Sequence, residues 1–582
     1  MNSNRRNILF ITSDQQHWNT LGCLNPEIST PCLDKLASEG TLFNRAYCAN
    51  PTCTPTRASL ITGKYPSQHG AWSLGTKLPE TEPTVGDIFQ RRGYRTALIG
   101  KAHFQQLKDD PDFSSIESNP LQQDLDYWRK FNGPFYGFEH VELTRGHTDE
   151  KHIGQHYAIW MEEKGFKEWR DCFQAPGGNN SPQKRKWNIP EEYHYNTWIA
   201  ERACAKLSEY TDGGENFFLW ASFMDPHPPY LAPEPWDTMY DPAKLTVPQV
   251  AEGEHAANPP HFKLTQQEHP DFSAWQEEGG SACHGFHSHL TDPQHLAGDI
   301  AVYYGMISCM DKYIGRILDR LDTLGIRENT LVVFTTDHGH FYGQHGLKAK
   351  GAFNYEDMIK VPFIASLPGN IPEGRRCDAI QSLVDVPETF LSACGIDVPD
   401  DMTGVNQFDV WTGRRERARD HIVVENHHQP TTIHEKTLVD ERHKISVYFR
   451  RDYGEMFDLI DDPGEINNLW DKPEKAELKS DLMLKLLLAE IEKEENVAGN
   501  ALELPHKSPD MYVKTQSGDG FEITVDPAGK GCFLFNKKDD PDRKLNLWND
   551  PCSRPERDRL TLSLLFERMA REPLWMPRVA GA

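Results

Sequence analysis

The chain has 582 residues, 38% of them hydrophobic, and its 62 basic and 87 acidic side chains give a formal charge of −25. With 14 Trp and 28 Phe it has material for a large core, which excludes a mainly disordered polymer. The acidity excludes a general nucleic-acid binder, which needs a basic face, and any anionic substrate would need a pocket that is locally basic against the global field.

The apolar run Ile8–Ile11 ends at Thr12, Ser13 and Asp14, too short for a secretory signal, which needs about 7–15 apolar residues. No run approaches the roughly 18 apolar residues of a membrane span. Twelve irregularly spaced cysteines without a CxxC pair read as thiols in a reducing cytoplasm, the expected location. Cys53 is the exception among them.

Short β-rich runs predict buried strands at Asn7–Thr12, Thr96–Ile99, Phe217–Ser222, Thr330–Thr335 and Val361–Ala365. Helical patterns fall between them at Leu33–Glu39, Val85–Arg92, Asn196–Tyr210 and Gly305–Leu324. This alternation predicts an α/β fold, a large and mostly parallel sheet sandwiched by helices. Two long segments, 104–190 and 226–295, interrupt it as functional loops. From 412 onward, His421–Glu425, Thr431–Leu438 and Lys444–Phe449 read as antiparallel strands, with a helix over 474–495. The expected organisation is a catalytic domain over 1–411, a smaller α+β domain over 412–496, and an extension over 497–582. That extension holds an internal echo: Asp461-Asp462-Pro463…Asn468-Leu469-Trp470 recurs as Asp539-Asp540-Pro541…Asn546-Leu547-Trp548. The second copy reads as a structural imitation that packs on the body or on a neighbouring subunit, so a homo-oligomer is one expectation.

The strand ends carry the chemistry. Asp14 and Gln15 follow the first strand, Lys101 and His103 the second, His227 the third, and Asp337 and His338 the fourth. Ligands of open α/β sheets bind beyond the carboxyl ends of the strands. Carboxylates and an amide oxygen suit a hard divalent cation, while the histidine tilts toward Mn2+ or Zn2+. In Cys53-Thr54-Pro55-Thr56-Arg57, Pro55 suits the first turn of a helix and Gly63 can close it. Cys53 would then sit at a helix N-terminus that favours anions and thiolates, with Arg57 four residues on. A bare thiol there could serve Cys-His chemistry, but a metal cluster is an unusual companion for it.

These residues resemble the formylglycine-dependent sulfatase family of the alkaline-phosphatase superfamily. The signature is Cys53 to Gly63; Gly93–His103, Thr335–Gly339, Lys350-Gly351, Tyr355-Glu356, Asp385–Gly395 and Glu455–Trp470 match later family blocks in order. The resemblance implies that a separate maturation enzyme oxidises Cys53 to formylglycine. It also implies that Asp14, Gln15, Asp337, His338 and the modified residue hold one divalent metal, Ca2+ first, with Mn2+ or Mg2+ as alternatives. Arg57 and Lys101 would steady the hydrate and neutralise charge, and His103 would take a proton as sulfate leaves. His227 and Lys350 would bind the sulfate and protonate the leaving oxygen, with Lys350 preferred to Lys348 by its spacing to Tyr355-Glu356. The implied substrate is a small-molecule or carbohydrate sulfate monoester. Gln15 with His338 also occurs in the choline-sulfatase-like and phosphonate monoester hydrolase branches, so a phosphonate or phosphodiester hydrolase is the rival activity. Lys101 and His103 favour sulfate. A silent binding protein with an unmodified Cys53 is the alternative from another class. His284, His287, His289 and His427-His428 read as solvated loop histidines, and core packing competes evenly with sugar stacking for the aromatic stretch Trp187–Trp198.

Overall fold

The strand Asn7–Ser13 is buried at every position and lies at the centre of an eight-stranded sheet. The computed structural model describes residues 5–145, 153–173, 187–277, 285–428, 431–498, 513–516, 520–525 and 532–579. Phe217–Ser222 and Thr330–Thr336 flank the central strand in parallel, and Arg95–Gly100 and His140–Leu143 continue the sheet beyond the first of these. On the other side lie Phe363–Ser366, Thr41–Phe43 and Arg375–Cys377. Phe363–Ser366 runs antiparallel to both of its neighbours. The run expected at Val361–Ala365 is thereby divided. Pro362 has no N–H for a ladder, so Lys360–Val361 pairs separately with Ala46–Tyr47.

Alternate residues of the central strand enter two cores. Ile8 and Phe10 pack with Leu98, Phe218, Trp220 and Val333 on one face, and Leu9 and Ile11 with Ile99, Leu219 and Phe334 on the other. The helices Cys53–Thr62, Val85–Arg91 and Val386–Ala393 contribute to the first core, and Tyr195–Asp212 and Pro293–Thr323 to the second. Pro293–Thr323 starts well before the expected Gly305. Asp292 caps it, accepting from the N–H groups of Gln294 and His295 at 3.0 Å each, and Pro293 fits the first turn.

The strands His421–His428, Ile433–Asp440, His443–Tyr448 and Gly454–Asp458 form a separate antiparallel sheet covered by the helix Ala476–Ala498. The fold class read from the sequence is thus the one observed. The echo is structural as well as sequential. Asn468 Oδ1 accepts from the N–H groups of Met456 and Trp470 at 3.0 Å, and Asn546 Oδ1 accepts from Leu534 and Trp548 at 3.0 Å. Lys479 and Arg557 each donate at 3.0 Å to the carbonyl of the corresponding tryptophan, and each lies over that ring. The second helix, Arg554–Arg571, packs on the first through Ser480 Oγ and Asp558 Oδ2, 2.6 Å apart and separated by 78 positions in the chain, the repeat length itself. Equivalent residues of the two copies are thus in direct contact. Beyond the helix the chain lies on the body, where Trp72 Nε1 donates to Met576 O and Val579 N to Gly75 O.

Candidate active site

Parallel pairing brings the strand ends together. Thr12 is opposite both Ser222 and Thr335, and Gly100 is opposite Ser222, so Asp14, Asp337 and Lys101 emerge side by side. Asp14 is pinned by its backbone N–H, which donates to Asp225 O at 3.1 Å. Facing these ends is the N-terminus of Cys53–Thr62, a helix buried at every position that closes on Gly63 at φ 68°. A left-handed residue is needed there, and glycine adopts it without strain.

Cys53 Sγ lies 3.7 Å from Asp14 Oδ1 and 3.2 Å from His338 Nε2, and accepts from Lys350 Nζ at 3.1 Å. Ligand atoms of Asp14, Cys53, Asp337 and His338 all fall within 4.8 Å of one another. Lys101 Nζ donates to Asp14 Oδ2, and Arg57 Nε donates to Asp337 Oδ2 at 2.8 Å. Each carboxylate thus has one oxygen held by a cation. The proton on His338 Nδ1 is held by Gly339 O at 3.0 Å, so its Nε2 lone pair faces Cys53. His227 repeats this logic: its Nδ1–H donates to Pro228 O at 2.6 Å, and its Nε2 lies 3.2 Å from Lys350 Nζ. Lys350 therefore bridges Cys53 and His227. Lys348 instead lines the adjoining cavity.

Burial and Asp14 push the Cys53 thiol up, Lys101 and Lys350 draw it down by more, and the net shift is downward. Burial draws the Lys101 ammonium down despite its bond to Asp14. For His338, burial lowers the imidazole, but Asp337 and Cys53 raise it and prevail.

The donor set fits a hard divalent cation. Two carboxylates, an imidazole lone pair and residue 53 converge, and Gln15 adds a buried Oε1 with no hydrogen-bond partner. Gln15 N donates to Asp337 Oδ1 at 3.0 Å, with Gln15 at the left-handed φ of 61°. His103, two residues beyond Lys101, is buried at φ 59°. Its position depends on a residue the sequence did not single out. Glu117 accepts from the N–H groups of His103, Phe104 and Gln105 at 2.7, 2.8 and 2.9 Å. Fully buried Arg145 donates to Gln105 O at 2.9 Å and steadies the same loop. Ser222, which accepts from Arg57 Nη1 at 2.9 Å, was also missed, although it ends a predicted strand as Asp14 nearly does.

The histidine reading needs correction. His289 is buried, accepting from Lys348 N at 2.8 Å and donating to Gly285 O at 2.8 Å, and His428 is buried at the end of a strand. Exposed His287 lines the cavity beside Lys350, while His284 lies outside the described residues. In the aromatic stretch, where the sequence left sugar stacking and core packing in balance, Trp187, Tyr195 and Trp198 belong to the core.

Among the described residues, no helix is long and apolar enough to cross a membrane. The profile of the family described as "Sulfatase" matches residues 6–396, and that described as "N-sulphoglucosamine sulphohydrolase, C-terminal" matches residues 343–493. "Uncharacterized sulfatase YidJ" of Escherichia coli K12 is 29% identical over 82% of this chain and 85% of its own length. An arylsulfatase of Clostridium perfringens is 28% identical over 84% and 94%. Among solved structures, the phosphonate monoester hydrolase SpPMH from Silicibacter pomeroyi superposes with a TM-score of 0.70 at 23% identity, covering 86% of this chain and 98% of its own. The fold, the family profile over most of the chain and the likeness to named sulfatases over more than four fifths of it agree: the chain belongs to the sulfatase family, sulfuric ester hydrolases with an alkaline-phosphatase-like fold.

Proposed function

We propose that the protein hydrolyses the sulfate monoester of a sugar-sized alcohol, using formylglycine made from Cys53 by a separate maturation enzyme. The observation that carries this reading is the setting of Cys53 Sγ, within 3.7 Å of a carboxylate, an imidazole lone pair and the Lys350 ammonium at a buried helix N-terminus. When in place, a divalent cation polarises the sulfuryl oxygens and formylglycine at position 53 supplies the attacking hydroxyl. Asp14, Gln15, Asp337 and His338 would hold that cation, with Ca2+ ahead of Mn2+ and Mg2+. Lys101 and Arg57 fix the carboxylates. Lys350 Nζ binds a sulfuryl oxygen and, with His227 Nε2 beside it, delivers the proton to the leaving alcohol oxygen. His103 takes the proton of the second hydroxyl of residue 53 as sulfate is expelled and the aldehyde forms, and a water then restores the hydrate, so one water is consumed per alcohol and sulfate released.

The cavity of about 250 Å3 that opens on Gln15, His227 and Lys350 is the place for the alcohol. Tyr230 and Tyr342 give it flat walls, and Asp299 and Lys348 offer an acceptor and a donor for hydroxyl groups. Domains over 1–411 and 412–496 with an extension over 497–582, and a cytoplasmic site of action, complete the reading; all eleven described cysteines are free thiols, as that location requires.

Two measurements test it. Mass spectrometry of the peptide bearing residue 53, from protein made in its native host, should show formylglycine; an unmodified cysteine there would sink the mechanism and favour a binding protein. Parallel assays on sulfated monosaccharides, aryl sulfates and phenyl phosphonate monoesters should rank a sulfate first. Higher kcat/KM on the phosphonate would transfer the site to the rival activity that Gln15 and His338 leave open.

A further inference from the structure

Gln15 is held at three points. Its N–H donates to Asp337 Oδ1 at 3.0 Å, its carbonyl accepts from Tyr303 OH at 3.0 Å, and its side-chain Nε2 donates to His340 Nδ1 at 2.8 Å. His340 is itself fully buried, stacked on Tyr303 at 4.7 Å and 21°, with its Nε2 2.7 Å from Tyr230 OH.

An amide beside a carboxylate would ordinarily turn its NH2 group toward the negative charge, and that orientation would repel a cation. Here the NH2 group is taken by a histidine on the other side, and Oε1 is left buried with no hydrogen-bond partner. The direction of the amide and the tautomer of the ring go together. A nitrogen facing an NH2 donor must be the unprotonated one, so the single ring proton sits on Nε2 and is given to the Tyr230 oxygen. We infer that His340, itself no ligand, is a positioning residue that locks the Gln15 amide with its oxygen toward the metal, with Tyr230 fixing the tautomer. This rests on the metal reading of the site given above. It also joins the alcohol cavity, which Tyr230 lines, to a metal ligand through two hydrogen bonds.

The test is Mn2+ binding by calorimetry to the full chain, chelator-treated and dialysed, with Cys53 kept as the thiol so that turnover plays no part. Outer-shell partners of metal ligands typically contribute about 10–100-fold in affinity, and His340→Ala should lose that much. The same change on a Gln15→Ala background should cost less than about twofold, because His340 acts through that amide. His340→Asn, which keeps an acceptor, should recover part of the loss. Wild-type affinity in His340→Ala, or fully additive losses in the double variant, overturns the inference. Asp14→Asn separates the two failures: if it binds Mn2+ like wild type, the metal reading falls, whereas if it binds weakly while His340→Ala does not, only the positioning role falls. Should His340→Ala fail to fold, Tyr230→Phe serves instead, since loss of the hydroxyl frees the ring to change tautomer. Its Mn2+ affinity should drop several-fold, and no change would count against the assignment.

Discussion

Arg57 sits where two buried acids meet. It donates Nε to Asp337 Oδ2 at 2.8 Å, lies 3.8 Å from Asp14 Oδ2, and gives Nη1 to Ser222 Oγ and Lys101 O at 2.9 and 3.0 Å. All three charged side chains are 0% exposed, so solvent screens none of them. Arg57→Met keeps much of the volume but leaves Asp14 and Asp337 with Lys101 alone. Removing one partner of a buried pair costs about 3–5 kcal/mol, most of it the stranded charge. A divalent cation at the same carboxylates would offset that charge, and a ligand at 100 times its Kd adds about 2.7 kcal/mol of its own. Urea unfolding followed by tryptophan fluorescence, in chelator and in excess Ca2+, reads both effects. The variant should lie about 3–5 kcal/mol below wild type in chelator, and the gap should narrow with Ca2+. An unchanged midpoint in chelator, or a gap that widens with Ca2+, would refute the placement of two ionised carboxylates around one cation site.

The remaining expectations concern the leaving group, the loop and the pH response. Lys350→Ala should lower kcat by about 10²–10⁴, the range for loss of a general acid, whereas Lys348→Ala should act mainly on KM; equal effects on kcat would undo the division between them. Glu117→Gln keeps the size of the side chain but weakens three bonds to N–H groups, so turnover should fall with little change in metal affinity; unaltered kcat would deny the loop its role. His345, bonded to Glu254 and 3.3 Å from Asp357, is raised to about 9 despite burial, which opposes the shift. A raised histidine stabilises the fold fully below its unfolded value near 6.5 and loses that contribution as pH rises through about 9. His345→Gln should therefore remove a share of the stability lost between those pH values, seen as a flatter midpoint-versus-pH curve than wild type.

The site was legible wherever chemistry sits at a strand end. Asp14, Lys101 and Asp337 directly follow the strands Asn7–Ser13, Arg95–Gly100 and Thr330–Thr336, so local β pattern and residue type sufficed to find them. Cys53 was legible because Pro55 and Gly63 mark both ends of its helix. What escaped depends on long-range contact. Glu117 lies in a stretch without periodicity, and only the folded chain reveals that its carboxylate gathers three N–H groups of the loop after Lys101. His340 follows His338 by two residues, yet its role exists only because Gln15 comes from a strand over 300 residues away, an |i−j| of 325. The early start of Pro293–Thr323 is encoded in Asp292-Pro293, a cap followed by a first-turn proline, whereas the apolar pattern alone places it at Gly305.

The charge of −25 is reconciled by position rather than by sum. At the site, Arg57 and Lys101 hold Asp337 and Asp14, and Lys350 stands on residue 53, so the three cations outnumber the two carboxylates by one before any metal. A dication would raise that surplus to three, confined to a buried cluster where screening is weak. Exposed acids elsewhere act over a Debye length of about 8 Å at physiological salt and fade beyond it. A sulfate group entering the cavity beside Lys348 therefore meets the acidic exterior at long range, attenuated, and the basic cluster at contact, unattenuated. On the proposed reading, the same carboxylates that add to the global negative charge would draw in the cation, so the acidity at the site would make it positive once loaded.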